Sequence, residues 1–194
     1  PDSMGIASLS LYYSVQVWNL ANQMGPFRTK YNNVKCIKFH PTEPVVALAG
    51  SQSEVRLYDL DSQLLIQTIK TGQGLVQDVD FNADGSRLVT GGDDRTLRIW
   101  DTQTGALIKS QPHNGVILKL SHHPTAALVA SCGRGSLVYL WDPQSSVEPK
   151  ALAGDGSKVM HVAFSPDGAL LTGSQADGTI MVWDTSTREL VATL

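Results

Sequence analysis

Residues 15–20 (VQVWNL), 55–60 (VRLYDL), 97–102 (LRIWDT), 138–143 (VYLWDP) and 180–185 (IMVWDT) are five versions of one phrase. Each alternates apolar side chains and ends on an aromatic residue followed by Asn or Asp. The anchors are Trp18, Tyr58, Trp100, Trp141 and Trp183, at successive intervals of 40, 42, 41 and 42 residues. A fixed spacing of that size marks a repeat architecture in which each period is one supersecondary unit.

Other features keep the same phase. Nineteen residues before the anchor stand Phe39, Phe81, His122 and Phe164. Seventeen before it stand Pro1, Pro41, Ala83, Pro124 and Pro166, and twenty-four before it Val34, Val76, Ile117 and Val159. The anchor segments, over 55–59, 97–101, 137–142 and 180–184, read as strands rich in β-branched and aromatic residues. Gly, Asp and Ser turns precede them (SQSE, GGDDR, CGRGS, SQADG). Further strands are expected upstream at 45–49, 87–90, 127–131 and 170–173, and again at 34–39, 76–81, 117–122 and 159–164. In that last set the apolar positions step by three and then by two (Val34, Ile37, Phe39), which implies a bulge. A fourth strand per period is suggested at 64–70, 106–110 and 190–194. No stretch has a helical period of useful length.

Composition sets the outer limits. The 194 residues carry 15 Lys plus Arg against 18 Asp plus Glu, a formal net charge of −3, and 42% are hydrophobic. Such a chain can bury a core, which excludes an intrinsically disordered protein. Its acidity and its scattered lysines argue against a phosphate-binding surface. Two cysteines, Cys36 and Cys132, cannot form a disulfide framework and point to a reducing compartment, the cytoplasm or nucleus. No apolar run reaches the roughly 18–20 residues of a membrane span. The chain opens on Pro1, so a piece of a longer protein is expected.

The repeated strand–turn–strand–Trp-Asp unit resembles the WD40-repeat β-propellers, over essentially the whole chain. The resemblance implies an all-β fold, a WD40-type β-propeller whose repeats each supply four antiparallel strands around a channel. It divides the chain into a half blade (1–20), repeats at 21–60, 61–102, 103–143 and 144–185, and the outer strand of the next blade (186–194). About four and a half blades are then present, part of a seven-bladed ring of roughly 290 residues at about 41 per period. A five-membered closure, with 190–194 pairing onto the half blade at 6–20, is the alternative.

In that family a His, a Ser or Thr, a turn Asp and the anchor Trp form a buried polar chain in each blade. Here no repeat holds all four. One has His113, Ser131 and Trp141 with Gly135 at the Asp position. Another has Thr90, Asp94 and Trp100 with Gly72 at the His position. The last has Asp177 and Trp183 with Asp155 in place of His, and the repeat ending at Tyr58 has Lys30 and Gln52. Apolar burial is therefore expected to hold most blades. The anchors, with Asp101, Asp142, Asp184, Asp94 and Asp177, are read as structural residues.

No linear catalytic or metal-binding constellation stands out. His122 and His123 are adjacent on an extended segment and point to opposite faces, a poor metal pair. His40 and His123 precede prolines at turns and read as surface residues, His161 occupies a strand position, and His113 belongs to the polar chain. Both cysteines read as buried and inert. No G-x-S-x-G, H-E-x-x-H or phosphate loop occurs, and RGS at 134–136, Asp84-Gly85 and Asp93-Asp94 are turns. No catalytic residue, metal site or cofactor is expected.

By resemblance, the loops entering each innermost strand and the turns after each second strand gather on one rim of the channel. That rim would carry Lys30, Tyr31, Asn32, Gln73, Asp93, Arg95, His113, Asn114, Arg134, Asp155, Ser157 and Gln175. Mixed charges and amides there suit recognition of proteins or peptides, with Tyr31 and the arginines as anchors. The expected function is a non-enzymatic interaction scaffold, a subunit of a multiprotein complex. A narrower alternative is a substrate-recognition subunit whose Arg95 and Arg134 clamp an acidic or modified peptide. An enzyme with a composite channel site is a third. Membrane, nucleic-acid and small-molecule partners are not expected.

Overall fold

The computed structural model describes residues 5–9, 15–19, 27–29, 31, 33–145, 149–154 and 156–194. Among them every regular element is a strand. A first sheet holds β1 (Gly5–Leu9), β2 (Val15–Asn19) and β3 (Phe27–Thr29). The second blade holds β4 (Val34–Phe39), β5 (Val45–Gly50), β6 (Glu54–Asp59) and β7 (Leu65–Lys70). The third holds β8 (Val76–Phe81), β9 (Arg87–Gly92), β10 (Thr96–Asp101) and β11 (Leu107–Pro112). The fourth holds β12 (Ile117–His122), β13 (Val129–Gly133), β14 (Leu137–Trp141) and β15 (Lys150–Ala153). The fifth holds β16 (Val159–Phe164), β17 (Leu170–Gln175), β18 (Ile180–Asp184) and β19 (Leu190–Thr193). Each is an antiparallel meander in chain order. β19 pairs with β18 of its own sheet, so the five-membered closure through this strand is not the arrangement found.

The inner strands β4, β8, β12 and β16 lie side by side in succession. Each shows the bulge implied by its stepping, between Val34 and Cys36, Val76 and Asp78, Ile117 and Lys119, and Val159 and His161. The extra residue twists the strand more strongly as it turns past its neighbour. Side chains then stitch inner strands together across the blades. Asp78 accepts Leu120 N at 2.9 Å and Asp80 accepts His122 N at 2.8 Å. Lys119 pairs with Asp78 at 3.4 Å, and Lys38 with Asp80 at 3.3 Å.

The apolar core lies between blades. Val15 and Val17 pack with Val46, Leu48 and Tyr58. Val45, Ala47, Ala49 and Leu57 pack with Val79, Leu88 and Trp100 of the third blade. Val89, Leu97 and Ile99 meet Leu120, Val129 and Trp141 of the fourth. Ala130, Val138 and Leu140 meet Val162, Met181 and Trp183 of the fifth. Tyr58, Trp100, Trp141 and Trp183 each fill one seam from the later blade, and all four are buried. Trp18 is only half-buried. Because β5 serves two seams, all six of its residues are buried and it reads as a continuous apolar run.

The Asp after each anchor ties the next turn. Asp101 accepts the backbone N–H of Thr104 at 2.7 Å and its hydroxyl at 2.8 Å. Asp184 accepts the Ser186 hydroxyl at 2.6 Å, and Ser186 N and Thr187 N at 2.9 and 2.8 Å, and Asp142 accepts Gln144 N at 2.8 Å. These bonds hold the Asp101 and Asp184 carboxyls below their ordinary range.

Two histidines are not the surface residues expected. His40 of the second blade meets Phe81 of the third edge-on, with ring centroids 5.0 Å apart. His123 of the fourth blade meets Phe164 of the fifth in the same way, at 5.0 Å, and its Nε2 lies 3.1 Å from Gly168 O. Their Nδ1 atoms accept N–H groups of their own turns, Glu43 N at 3.0 Å and Ala126 N at 2.8 Å. Gly85 and Gly168 make room for the rings: a Cβ there would fall 1.8 Å from His40 Nε2 and 2.3 Å from His123 Cε1. Both glycines also have left-handed backbone, φ +77° and +76°. The two histidines are interblade latches.

Candidate functional site

Within each antiparallel blade, the loop entering the inner strand and the turn from second to third strand lie at the same end. The residues expected on this rim therefore share one side of the molecule, but they differ sharply in availability. Lys30, Asn32 and Asp155 lie outside the described residues. Asp93, Arg95, Asn114 and Arg134 are exposed. Asp93 accepts Gln77 Nε2 at 2.8 Å. Arg95 has left-handed backbone, φ 62°, at the tip of its turn. The side chains of Arg95 and Arg134 make no ion pair among the described residues. Ser157 is half-buried and donates its hydroxyl to Asp177 at 2.6 Å.

Tyr31, Gln73 and Gln175 are buried, which corrects their reading as exposed contacts. Tyr31 donates its hydroxyl to Glu54 O at 2.6 Å, beneath the Arg56 guanidinium 5.0 Å from its ring centroid. Burial, with the Glu54 charge, pushes its phenol up to about 12. Tyr31 is a core residue. Glu54 is itself buried and pairs with Arg56 at 2.6 Å and with Lys70.

Gln73 corrects a second expectation. Its Oε1 accepts the Thr90 hydroxyl, and Thr90 in turn accepts Trp100 Nε1 at 2.9 Å. Gln73 Nε2 donates to Thr96 O at 2.8 Å and to Asp94 at 3.3 Å. The polar chain from Trp100 to Asp94 is thus complete in the third blade, with Gln73 doing what the family assigns to His. The residue one place beyond Gly72 supplies a donor and an acceptor at once, so the amide replaces the imidazole. Arg98 closes on Asp94 at 2.9 Å.

The fourth blade holds the expected His113 and Ser131, yet the chain is open. His113 Nε2 and Ser131 Oγ are buried without a hydrogen-bond partner. His113 Nδ1 lies 3.0 Å from Gly115 O, its ring sits edge-on to Tyr139 at 4.7 Å, and burial holds its pKa below the ordinary histidine value. In the fifth blade Gln175 Nε2 donates to Ser157 O at 3.4 Å, and Asp177 accepts Thr179 N at 2.9 Å.

The thiols are buried. Burial, then Asp78, raises Cys36, and burial pushes Cys132 up to about 12, so neither is a nucleophile near neutral pH. Among the described residues no three or more His, Cys, Asp or Glu converge as a metal site.

Four segments, 23–59, 64–101, 105–142 and 148–184, match the model of the family described as WD domain, G-beta repeat. The chain belongs to this WD-repeat family. Ribosome biogenesis protein ERB1 of Coprinopsis cinerea is 30% identical over 182 residues, 84% of this chain and 23% of that protein. Target of rapamycin complex subunit wat1 of Schizosaccharomyces pombe is 27% identical over 154 residues, 78% of this chain and 48% of that protein. Human DDB1- and CUL4-associated factor 13 is 28% identical over 161 residues, 79% of this chain and 36% of that protein. The WD chain thus spans less than two thirds of the length of each of these relatives.

A seam between the third and fourth blades escaped the sequence reading, although its signal was present. His122 stands where three other repeats have Phe39, Phe81 and Phe164. That single exception marks the place where the interblade latch is missing.

Proposed function

We propose that this WD-repeat chain is a non-enzymatic interaction platform, a subunit of a multiprotein assembly in the cytoplasm or nucleus. One observation carries the reading. Both faces of the second, third and fourth blades are taken up by seams, and most of their buried polar groups, such as Asp78, Gln73 and Thr90, are bonded within the fold. What remains for recognition is a set of turns, on which Arg95 and Arg134 stand exposed and unpaired among the described residues. The names of two relatives, a rapamycin-target complex subunit and a DDB1- and CUL4-associated factor, support membership of an assembly. The two arginines also favour the narrower reading, in which this rim holds an acidic or modified peptide.

The test is to isolate the full-length protein with its native partners and repeat the isolation with Arg95→Glu/Arg134→Glu. Association should weaken by more than the roughly 0.2–1 kcal/mol of an exposed ion pair where the contact excludes water. Unchanged association in the double variant removes this rim from the interface. Turnover by the purified protein, abolished by one substitution on the rim, overturns the non-enzymatic reading.

A further inference from the structure

The second-to-third and fourth-to-fifth seams carry a His from one blade seated on a Phe and a Gly of the next. At the third-to-fourth seam all three positions differ: Asn82 replaces His, His122 replaces Phe, and Ala126 replaces Gly. Asn82 does not reach across. It folds into its own turn, donating to Asp84 at 2.8 Å and accepting Arg87 N at 2.8 Å. The result is a cleft of about 300 Å³ bounded by Asn82, Arg87, Ile99, His122, Ala126 and Pro143. It opens at the end of the blades opposite Arg95 and Arg134, because it is lined by turns following first and third strands.

Two groups in the cleft lack partners. The half-buried Arg87 guanidinium makes no hydrogen bond or ion pair among the described residues. Both ring nitrogens of His122 are buried and without a hydrogen bond. Since those nitrogens are covered, His122 shows carbon to the cleft. A half turn about Cβ–Cγ exchanges nitrogens for carbons and brings an N–H to that edge. Two carboxylates act on Arg87 through space, Asp84 and its cross-strand partner Asp101. Asp84 is engaged by Asn82 and by Ser86 N at 2.8 Å, Asp101 is engaged by Thr104, and neither forms an ion pair with Arg87. Burial, and after it the Arg87 charge, keeps His122 neutral, its pKa pushed down to about 4. An unpaired cation beside an imidazole with no acceptor is a poor resting arrangement and a good receptor for an anion. Ile99, Ala126 and Pro143 supply an apolar wall for the methylenes of an extended side chain. The volume is at the small end for ligand sites and suits one anchored side chain rather than a large cofactor.

We infer that the unlatched seam between the third and fourth blades is a docking cleft for a peptide segment of a partner protein, which inserts a Glu or Asp carboxylate between Arg87 and His122. This site is separate from the Arg95–Arg134 rim and stands or falls without it.

The probe is the N-acetylated, C-amidated tripeptide Ala-Glu-Ala, titrated into the full chain with labelled His and Arg side chains and followed by NMR. The ring nitrogens of His122 and Nε of Arg87 should shift saturably. The Ala-Gln-Ala peptide should bind about tenfold or more weaker, the loss of one charge-assisted hydrogen bond. Arg87→Gln should lose the same factor, whereas removing an exposed cation elsewhere, Lys35→Gln, should leave the titration of His122 as in the parent. Rebuilding the latch with Asn82→His/His122→Phe/Ala126→Gly should abolish binding, and the Arg87→Gln arm decides the matter if that variant does not fold. Equal affinity for the Gln peptide, binding that survives Arg87→Gln, or no saturable shift overturns the proposal. So does inorganic phosphate binding as tightly as the Glu peptide, which marks a general anion site instead.

Discussion

The third and fourth blades share a strand plan, a bulge and a buried Trp, but they treat their polar groups in opposite ways. In the third, Trp100, Thr90, Gln73, Thr96 and Asp94 are bonded in an unbroken sequence. In the fourth, His113 and Ser131 occupy the corresponding places and leave Nε2 and Oγ without partners. The nonstandard side chain completes the chain and the standard ones do not. A buried polar network is favourable only when every member is satisfied, so residue identity at one position is a weak guide to whether it forms. Both blades still stand because the apolar seams carry most of the stability.

That claim gives the largest expected effect. Trp100→Ala and Trp141→Ala should each lower unfolding free energy by about 3–5 kcal/mol in urea denaturation, since both rings fill a seam. A similar loss in both blades, despite their different polar chains, sharpens the comparison. A loss confined to Trp100→Ala would break it.

The next effect is pH-dependent and belongs to the fourth blade. Below pH 6.5 the unfolded chain protonates His122, while the folded chain refuses the proton until about pH 4. The unfolded state then holds more protons, so stability falls as pH drops through this window. The expected loss is up to about 3 kcal/mol, at 1.36 kcal/mol for each pH step between 6.5 and about 4. Urea unfolding at pH 7 and pH 4 should show a larger drop in the parent than in His122→Phe, which cannot take up the proton. Equal drops would mean that His122 titrates normally in the folded protein.

Smaller still is the direct test of the two polar chains. Thr90→Val deprives both Trp100 Nε1 and Gln73 Oε1 of their partner and should cost about 1–3 kcal/mol. Ser131→Ala removes a hydroxyl that bonds to nothing and should change stability by less than about 0.5 kcal/mol. Equal costs would show that Ser131 is satisfied in solution and that the blades are alike.

Much of the fold was legible because its cause is periodic. The inner strands at 34–39, 76–81, 117–122 and 159–164 and their bulges follow directly from apolar stepping and are found at those residues. β15 was harder to see, because residues 150–153 (KALA) lack the paired large apolar residues of 65–66 and 107–108. The rim was legible only as a set of turns. Burial of Tyr31 depends on Val46, Leu48 and Leu60 arriving from the next blade, and the role of Gln73 depends on Thr90 seventeen residues away. The latches were hidden for the same reason. His40 and His123 are half of a contact whose other half, Phe81 or Phe164 with its glycine, lies one period downstream.

Placing every core between blades has a consequence under force. A single sheet here owns no core of its own, so tension applied at the chain ends ruptures one seam at a time. Each event frees a period of 40–42 residues, adding roughly 140 Å of extended chain at about 3.4 Å per residue. Among the described residues the first and second blades bring the fewest strand residues together, and the break begins at that seam.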